Sequence, residues 1–137
     1  MRVFIDTNVL VYAEDANAGK KRDRARSIIA DAIGSRSAVL SAQVLQEFFS
    51  VVTRKLGADP VKARRQIELF AGQDIILTEA SDVIAAIDLH RLHQVAIWDA
   101  LIIRSAIKAG CRTLLSEDLS HGRKFDGVAI EDPFRDL

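Results

Sequence analysis

Cysteine is almost missing from this sequence. Cys111 is the only one, so no disulfide can form within the chain. A lone thiol fits a reducing compartment, and Cys111, lying between Gly110 and an apolar stretch, is expected to be a small buried hydrophobe rather than a nucleophile. Net charge is missing too: 19 Lys and Arg balance 19 Asp and Glu. That excludes a protein that coats nucleic acid by bulk charge, but not one that grips a phosphate backbone locally. No apolar run approaches membrane-spanning length, and the opening residues lack the basic-then-apolar pattern of a secretion signal. The expected location is the cytoplasm, with no membrane partner. There are only two prolines, and no repeat, linker or low-complexity segment is visible. Residues 1–137 therefore read as one domain, long enough to bury a core without staples.

What is present is an alternation of short apolar strands and amphipathic helices. Val3-Phe4-Ile5 reads as a buried strand that ends on Asp6-Thr7-Asn8, and a short helix follows through about Ala13. Asp is poor inside a strand and good at a turn or helix N-cap, so Asp6 belongs at the hand-over between the two. From this stretch alone it is either a cap or a working carboxylate. Lys20 to Ile33 spaces Ala25, Ile28, Ile29, Ala32 and Ile33 along one helical face, with Gly34 as its stop. The bases Lys20, Lys21, Arg22, Arg24 and Arg26 are expected to form a solvated face rather than a phosphate patch.

Ala38 to Leu40 reads as a second strand. Ser41 then caps a helix that runs to Leu56 and carries Glu47 beside its apolar stripe. Asp59-Pro60 restarts a helix to Phe70, and Asp74 to Leu77 is a third strand. A helix capped by Ser81 or Thr78 follows to about His93, with Val83, Ile84 and Ile87 expected inward. His90 and His93 read as helix-end residues near the negative dipole end. Asp99 opens a strongly apolar central helix, with Trp98 expected against the core. Arg112 to Leu115 is a fourth strand ending on Ser116-Glu117-Asp118. Ser120 to Arg123 is a loop, Val128 to Ile130 a last strand, and Glu131 to Leu137 a polar tail. Alternating strands and helices predict an α/β fold with a mostly parallel central sheet flanked by helices.

Asp6 and Asp118 both follow strand ends. Parallel strands bring their carboxyl ends to one sheet edge, where open α/β sheets bind ligands. Short connections bring the starts of the helices carrying Glu47 and Asp99 towards the same edge. Four clustered carboxylates raise one another's pKa, and a divalent cation relieves them. All-oxygen donors without a matching His or Cys set select Mg²⁺ or Mn²⁺. Such a site suits phosphodiester chemistry. Thr7 and Ser116 are candidates to orient a carboxylate, water or phosphate oxygen, and Asn8 to fix the loop after Asp6.

Val3-Phe4-Ile5-Asp6-Thr7-Asn8-Val9-Leu10, with Trp98-Asp99-Ala100 and Leu115-Ser116-Glu117-Asp118, resembles the PIN-domain nucleases over essentially the whole chain. The length is similar to that of the VapC-type toxins of bacterial toxin–antitoxin pairs. The resemblance implies a PIN-like α/β/α sandwich and a Mg²⁺- or Mn²⁺-dependent endoribonuclease acting on RNA. It also implies a homodimer held inactive by a small antitoxin protein. It places the catalytic and metal-binding acids at Asp6, Glu47, Asp99 and the acid after Ser116. Glu117 and Asp118 are adjacent and cannot both enter one pocket from an extended segment; Asp118 is chosen because Ser116 lies on its side of the chain. The dimer interface is left unassigned, with the exposed apolar parts of the helices before Gly57 and after Pro60 as candidates by elimination. The rivals are a catalytically silent PIN-like module that binds RNA or protein, and a phosphatase built on the opening Asp. The latter needs a second Asp where Asn8 stands.

Overall fold

A computed structural model describes all residues 1–137. The strands are β1 (Val3–Ile5), β2 (Ala38–Ser41), β3 (Asp74–Ile76), β4 (Thr113–Leu115), β5 (Lys124–Phe125) and β6 (Val128–Glu131). The helices are α1 (Thr7–Tyr12), α2 (Lys20–Gly34), α3 (Ala42–Arg54), α4 (Pro60–Phe70), α5 (Ala80–His93) and α6 (Ile97–Lys108). One six-stranded sheet runs in the order β3-β2-β1-β4-β6-β5, and every pairing is parallel except that of β5 with β6. With helices flanking it, this is the expected α/β/α sandwich.

The chain starts in the middle of the sheet. From β1 it builds outward to β2 and β3, then returns through α5 and α6 to lay β4 on the other side of β1. The direction of winding reverses there, and the crevice outside the strand ends at such a reversal is where parallel sheets bind ligands. The register pairs Ile5 with Leu115, and the Asp6 amide donates to the Leu115 carbonyl at 3.0 Å. Asp6 and Ser116 are therefore the first residues beyond two adjacent strands. Fully buried Phe4, Ile5, Leu40, Leu114 and Ile130 from the strands meet Leu10, Phe48 and Ile103 from the helices. Strands buried on both faces read as continuous apolar runs, as these do.

Local chemistry accounts for most boundaries. Ser41 accepts the Val44 amide at 3.2 Å and caps α3, while Asp59 accepts the Val61 amide at 2.9 Å, with Pro60 in the first turn of α4. Phe70 sets its ring edge-on against Phe48, centroids 5.3 Å apart, and so fastens α4 to α3. Strand β5 was not expected. It pairs with β6 across Asp126-Gly127, both at positive φ (45° and 86°), and Asp-Gly is the hairpin turn that this backbone requires. The tail is less polar than its composition implies, because Phe134 is buried against Tyr12.

Helix α5 differs most from expectation. Neither Thr78 nor Ser81 caps it. The capping box is Glu79 with Asp82, whose Oδ2 accepts the Glu79 amide at 2.8 Å. Asp82 is buried and also accepts Arg104 Nε at 3.0 Å and Lys108 Nζ at 2.7 Å, both from α6. These contacts turn Asp82, Ala86 and Leu89 inward and leave Val83, Ile84 and Ile87 exposed, Ile84 by 63%. The helix carries apolar residues around most of its circumference, so periodicity could not choose the buried face. One paired carboxylate chose it.

The Glu79 amide, then Lys108 and Arg104, hold the Asp82 carboxyl down to about 2. Its stabilising contribution is complete above the ordinary value of 3.8 and is lost as pH falls from there through about 2. Asp82→Ala removes the cap and strands two cations, and is expected to cost about 2–3 kcal/mol near neutral pH. Denaturant melts should show that loss shrinking towards pH 2.

Candidate active site

The site begins with Asp6. It ends β1 and caps α1, its Oδ1 accepting the Thr7 amide at 2.7 Å. Its Oδ2 accepts the Ser116 hydroxyl at 2.7 Å. Asp6 is therefore both a cap and a carboxylate presented at the sheet edge, so the two readings left open by the sequence do not compete. It is only 6% exposed. Burial pushes its carboxyl up to about 6 despite those two hydrogen bonds, and the charges of Asp118 and Glu47 push the same way.

The other acids are tied to the same edge. Glu47, on α3, accepts the Thr7 hydroxyl on Oε1 at 3.1 Å. Burial raises its pKa, opposed by bonds from Thr7 and Gln43 and helped by the charges of Asp99 and Asp118. Asp99, in the first turn of α6, is raised by burial and by Asp118. Gln43 donates to the Trp98 carbonyl at 3.1 Å and so binds the start of α6 to α3. Asp118 accepts the Asn8 side-chain amide at 2.9 Å, and its own amide donates to Ser116 Oγ at 3.2 Å. Asp118 thus stands within electrostatic reach of Asp6, Glu47 and Asp99, and Glu47 within reach of Asp6 and Asp99.

None of the chain's ion pairs includes any of these four acids. Nor do any three His, Cys, Asp or Glu side chains converge closely enough to hold a metal ion between them. This oxygen-only, open arrangement fits a small hard cation that keeps several waters and is held through one or two carboxylates. Glu117 is different. Its Oε1 accepts the Tyr12 hydroxyl at 2.7 Å and its Oε2 the Lys21 ammonium at 2.6 Å. Burial pushes its carboxyl up, but those two bonds outweigh it and hold it below its ordinary value.

The Thr7 hydroxyl donates to Glu47 and the Ser116 hydroxyl to Asp6. Asn8 does not fix the loop after Asp6. It grips the segment after β4, donating to Asp118 and accepting the Glu117 amide on Oδ1 at 3.4 Å. Trp98 is 65% exposed, not packed against the core, because the first turn of α6 turns Ala100 inward instead. The basic residues of α2 are not simply solvated: Lys21 pairs with Glu117, Arg24 binds the Pro133 carbonyl and Asp136, and Arg26 binds the Ala13 carbonyl. His90 contacts the Val95 carbonyl and the His93 ring packs against Phe125, so their side chains go separate ways. The sequence reading missed Tyr12, Lys21 and Gln43. The available signal was helical spacing: Tyr12 lies four residues after Asn8, and Gln43 four before Glu47.

A protein-family model described as PIN domain matches residues 3–125. Among solved structures, the chain is similar to VapC20 of Mycobacterium tuberculosis, a sarcin-ricin loop cleaving toxin. Identity is 19% over 85% of this chain and 91% of that one, with a TM-score of 0.67. It is also similar to a toxin–antitoxin complex from Klebsiella pneumoniae, at 18% identity over 98% of each chain and a TM-score of 0.70. VapBC2 from Rickettsia felis, bound to a DNA fragment from its promoter, matches at 20% identity over 96% of this chain and 98% of that one, TM-score 0.68. No curated protein sequence matches the chain.

The charge of Asp6 has a consequence for stability. With its pKa raised from 3.8 to about 6, the folded chain holds this proton more tightly than the unfolded one. Stability falls as pH rises between those values, by about 3 kcal/mol in all. Asp6→Asn keeps one acceptor, for the Thr7 amide, sets its NH2 against Ser116 Oγ, which can accept from it, and removes the charge. In chelator at pH 7.5 the variant is expected to melt higher than the parent, with the advantage vanishing near pH 4. A variant that melts lower at pH 7.5 would show that the charge is not the dominant cost.

Proposed function

The chain belongs to the PIN-domain family, and from that premise we propose that it is a divalent-metal-dependent endoribonuclease, the toxin of a toxin–antitoxin pair. The observation that carries the reading is Asp6: a buried carboxylate at the reversal point of the sheet, beside three further acids, with no cation paired to any of them. A scaffold that only bound RNA or protein would have no use for that uncompensated charge.

In this reading Asp6, Glu47, Asp99 and Asp118 are the residues that would hold Mg²⁺ or Mn²⁺. When bound, the ion neutralises the scissile phosphate, activates the attacking water and stabilises the leaving oxygen. The chain's own residues do the positioning. Ser116 and the Thr7 amide fix both oxygens of Asp6. The Thr7 hydroxyl links that segment to Glu47, and Asn8 aims Asp118. Trp98, exposed beside Asp99, offers an unpaired base a stacking face.

The partners are RNA, a small antitoxin protein and a second copy of the chain, and the setting is the cytoplasm. No helix is long and apolar enough to cross a membrane. Two exposed apolar surfaces are open to protein partners. One is a groove of about 630 Å³ between α3 and α4, lined by Leu45, Phe49, Val61 and Ile67. The other is the outer face of α5 with Val83, Ile84 and Ile87. A groove of this kind accepts the apolar face of a helix.

The test is cleavage of a mixed cellular RNA pool in Mg²⁺, Mn²⁺ and chelator. Discrete fragments are expected with either metal and none with chelator. Asp6→Asn and Asp99→Asn should each lower the rate by more than the roughly 10–100-fold that removing an outer-shell partner costs. Full cleavage by folded Asp6→Asn protein, or in chelator, would sink the proposal. Trp98 is the only tryptophan. RNA binding should therefore quench the chain's fluorescence in chelator, where cleavage is arrested; unchanged emission at saturating RNA would remove Trp98 from the RNA path.

A further inference from the structure

We infer that Glu117, Tyr12 and Lys21 form a clamp that aims Asp118 into the acidic site, so that Glu117 is a positioning residue and not a metal ligand. The inference rests on the metal-site reading above, and goes beyond it by giving the two adjacent acids opposite jobs.

Glu117 and Asp118 lie in the bend after β4, and their carboxylates have different partners: Asn8 donates to Asp118 and Tyr12 to Glu117. Glu117 is held. Both of its oxygens are taken, Oε1 by the Tyr12 hydroxyl at 2.7 Å and Oε2 by the Lys21 ammonium at 2.6 Å. Its charge is already matched by Lys21, whose ammonium repels a second cation brought to the same carboxylate. Lys21 is itself fixed, with its ammonium 5.0 Å from the Tyr12 ring centre and 5.8 Å from that of Phe134. Tyr12 and Phe134 meet edge-on at 5.1 Å, so the C-terminal segment buttresses the clamp.

The same helix face grips the segment twice. Asn8 and Tyr12 lie one turn apart on α1. Asn8 accepts the Glu117 amide at 3.4 Å and donates its own side-chain amide to Asp118 at 2.9 Å, while the Tyr12 hydroxyl donates to the Glu117 carboxylate. The Asp118 amide then rests on Ser116 Oγ, whose hydroxyl holds Asp6. A continuous chain of hydrogen bonds therefore runs from Lys21 and Tyr12 through Glu117 to the Asp118 and Asp6 carboxylates. Each link fixes a direction, and a ligand group whose direction is fixed beforehand loses less freedom on binding.

The experiment measures Mn²⁺ affinity of the full chain by calorimetry for the parent, Glu117→Ala, Glu117→Gln, Tyr12→Phe, Lys21→Met and Asp118→Asn. It is run beside amide hydrogen exchange of the metal-free proteins. Glu117→Ala should weaken Mn²⁺ about 10-fold, and lower kcat for RNA with little change in KM. It should also speed exchange at the Glu117–Asp118 segment before any metal is added. Glu117→Gln can keep its oxygen on the Lys21 ammonium and turn its NH2 to the Tyr12 oxygen, and should recover most of the affinity. Tyr12→Phe and Lys21→Met should fall between. If Glu117→Gln loses as much affinity as Glu117→Ala, Glu117 is a ligand and the inference is wrong. An affinity for Glu117→Ala within twofold of the parent would reduce the contact to a surface ion pair and also overturn it. A parent chain that binds no Mn²⁺ would overturn the metal reading itself, and this inference with it.

Discussion

The parallel pairing of β1 with β4 is the constraint on which the rest depends. Neither strand exceeds three residues, and they are joined only after more than 100 residues of intervening chain. Their register sets Ile5 opposite Leu115, which leaves Asp6 and Ser116 side by side as the first groups beyond the paired backbone. A slip of one residue would turn each side chain to the opposite face of the sheet. The Asp6–Ser116 hydrogen bond would be lost, and the buried Asp6 carboxylate would be left without a donor on Oδ2. The register is locked by Phe4 and Leu114, both fully buried. Core packing thus fixes the chemistry at the sheet edge to within a hydrogen bond's tolerance.

Three buried or half-buried acids show how environment divides one functional group among different tasks. Asp82 is buried with two cations and a backbone amide, and is stabilised in its charged form. Glu117 is half-buried with one cation and a tyrosine hydroxyl, and is also held charged. Asp6 is as buried as Asp82 but has only a hydroxyl and an amide, and its charged form is penalised. The first ties two helices together and the second braces a loop. The third stores an electrostatic cost that a cation can relieve, which is the signature expected of a functional position.

Much of the site was legible because its residues sit at element boundaries, where sequence signals are sharpest. Asp6, Asp99 and Asp118 each mark a point where an apolar run meets a polar residue, and Ser41 and Asp59 are caps of ordinary chemistry. Glu47 was the weakest such signal, since a Glu beside an apolar helical stripe is usually solvated. Its connection to Thr7 exists only in three dimensions. Trp98 and the outer face of α5 went the other way. An apolar residue in an apolar helix reads as core, and only the packing of a neighbouring helix decides which side is covered. The Asp126-Gly127 turn was readable as a hairpin but lay beside a two-residue strand too short to give a pattern of its own.

The sequence by itself determined the alternation of strands and helices, the caps of α3 and α4, the parallel character of the sheet, and which polar residues end strands. All of these follow from backbone sterics, side-chain period and local hydrogen bonding within a few residues. Only the tertiary structure decided the strand order that puts β1 between β2 and β4, the rotation of α5, and the roles of Tyr12 and Lys21. It also decided the different hydrogen-bond partners of the adjacent Glu117 and Asp118. Each of these turns on contacts between residues far apart in the chain, such as Lys21 with Glu117 or Asp82 with Lys108. Their energies are paid in burial and desolvation, and a local reading of residue types has no access to either.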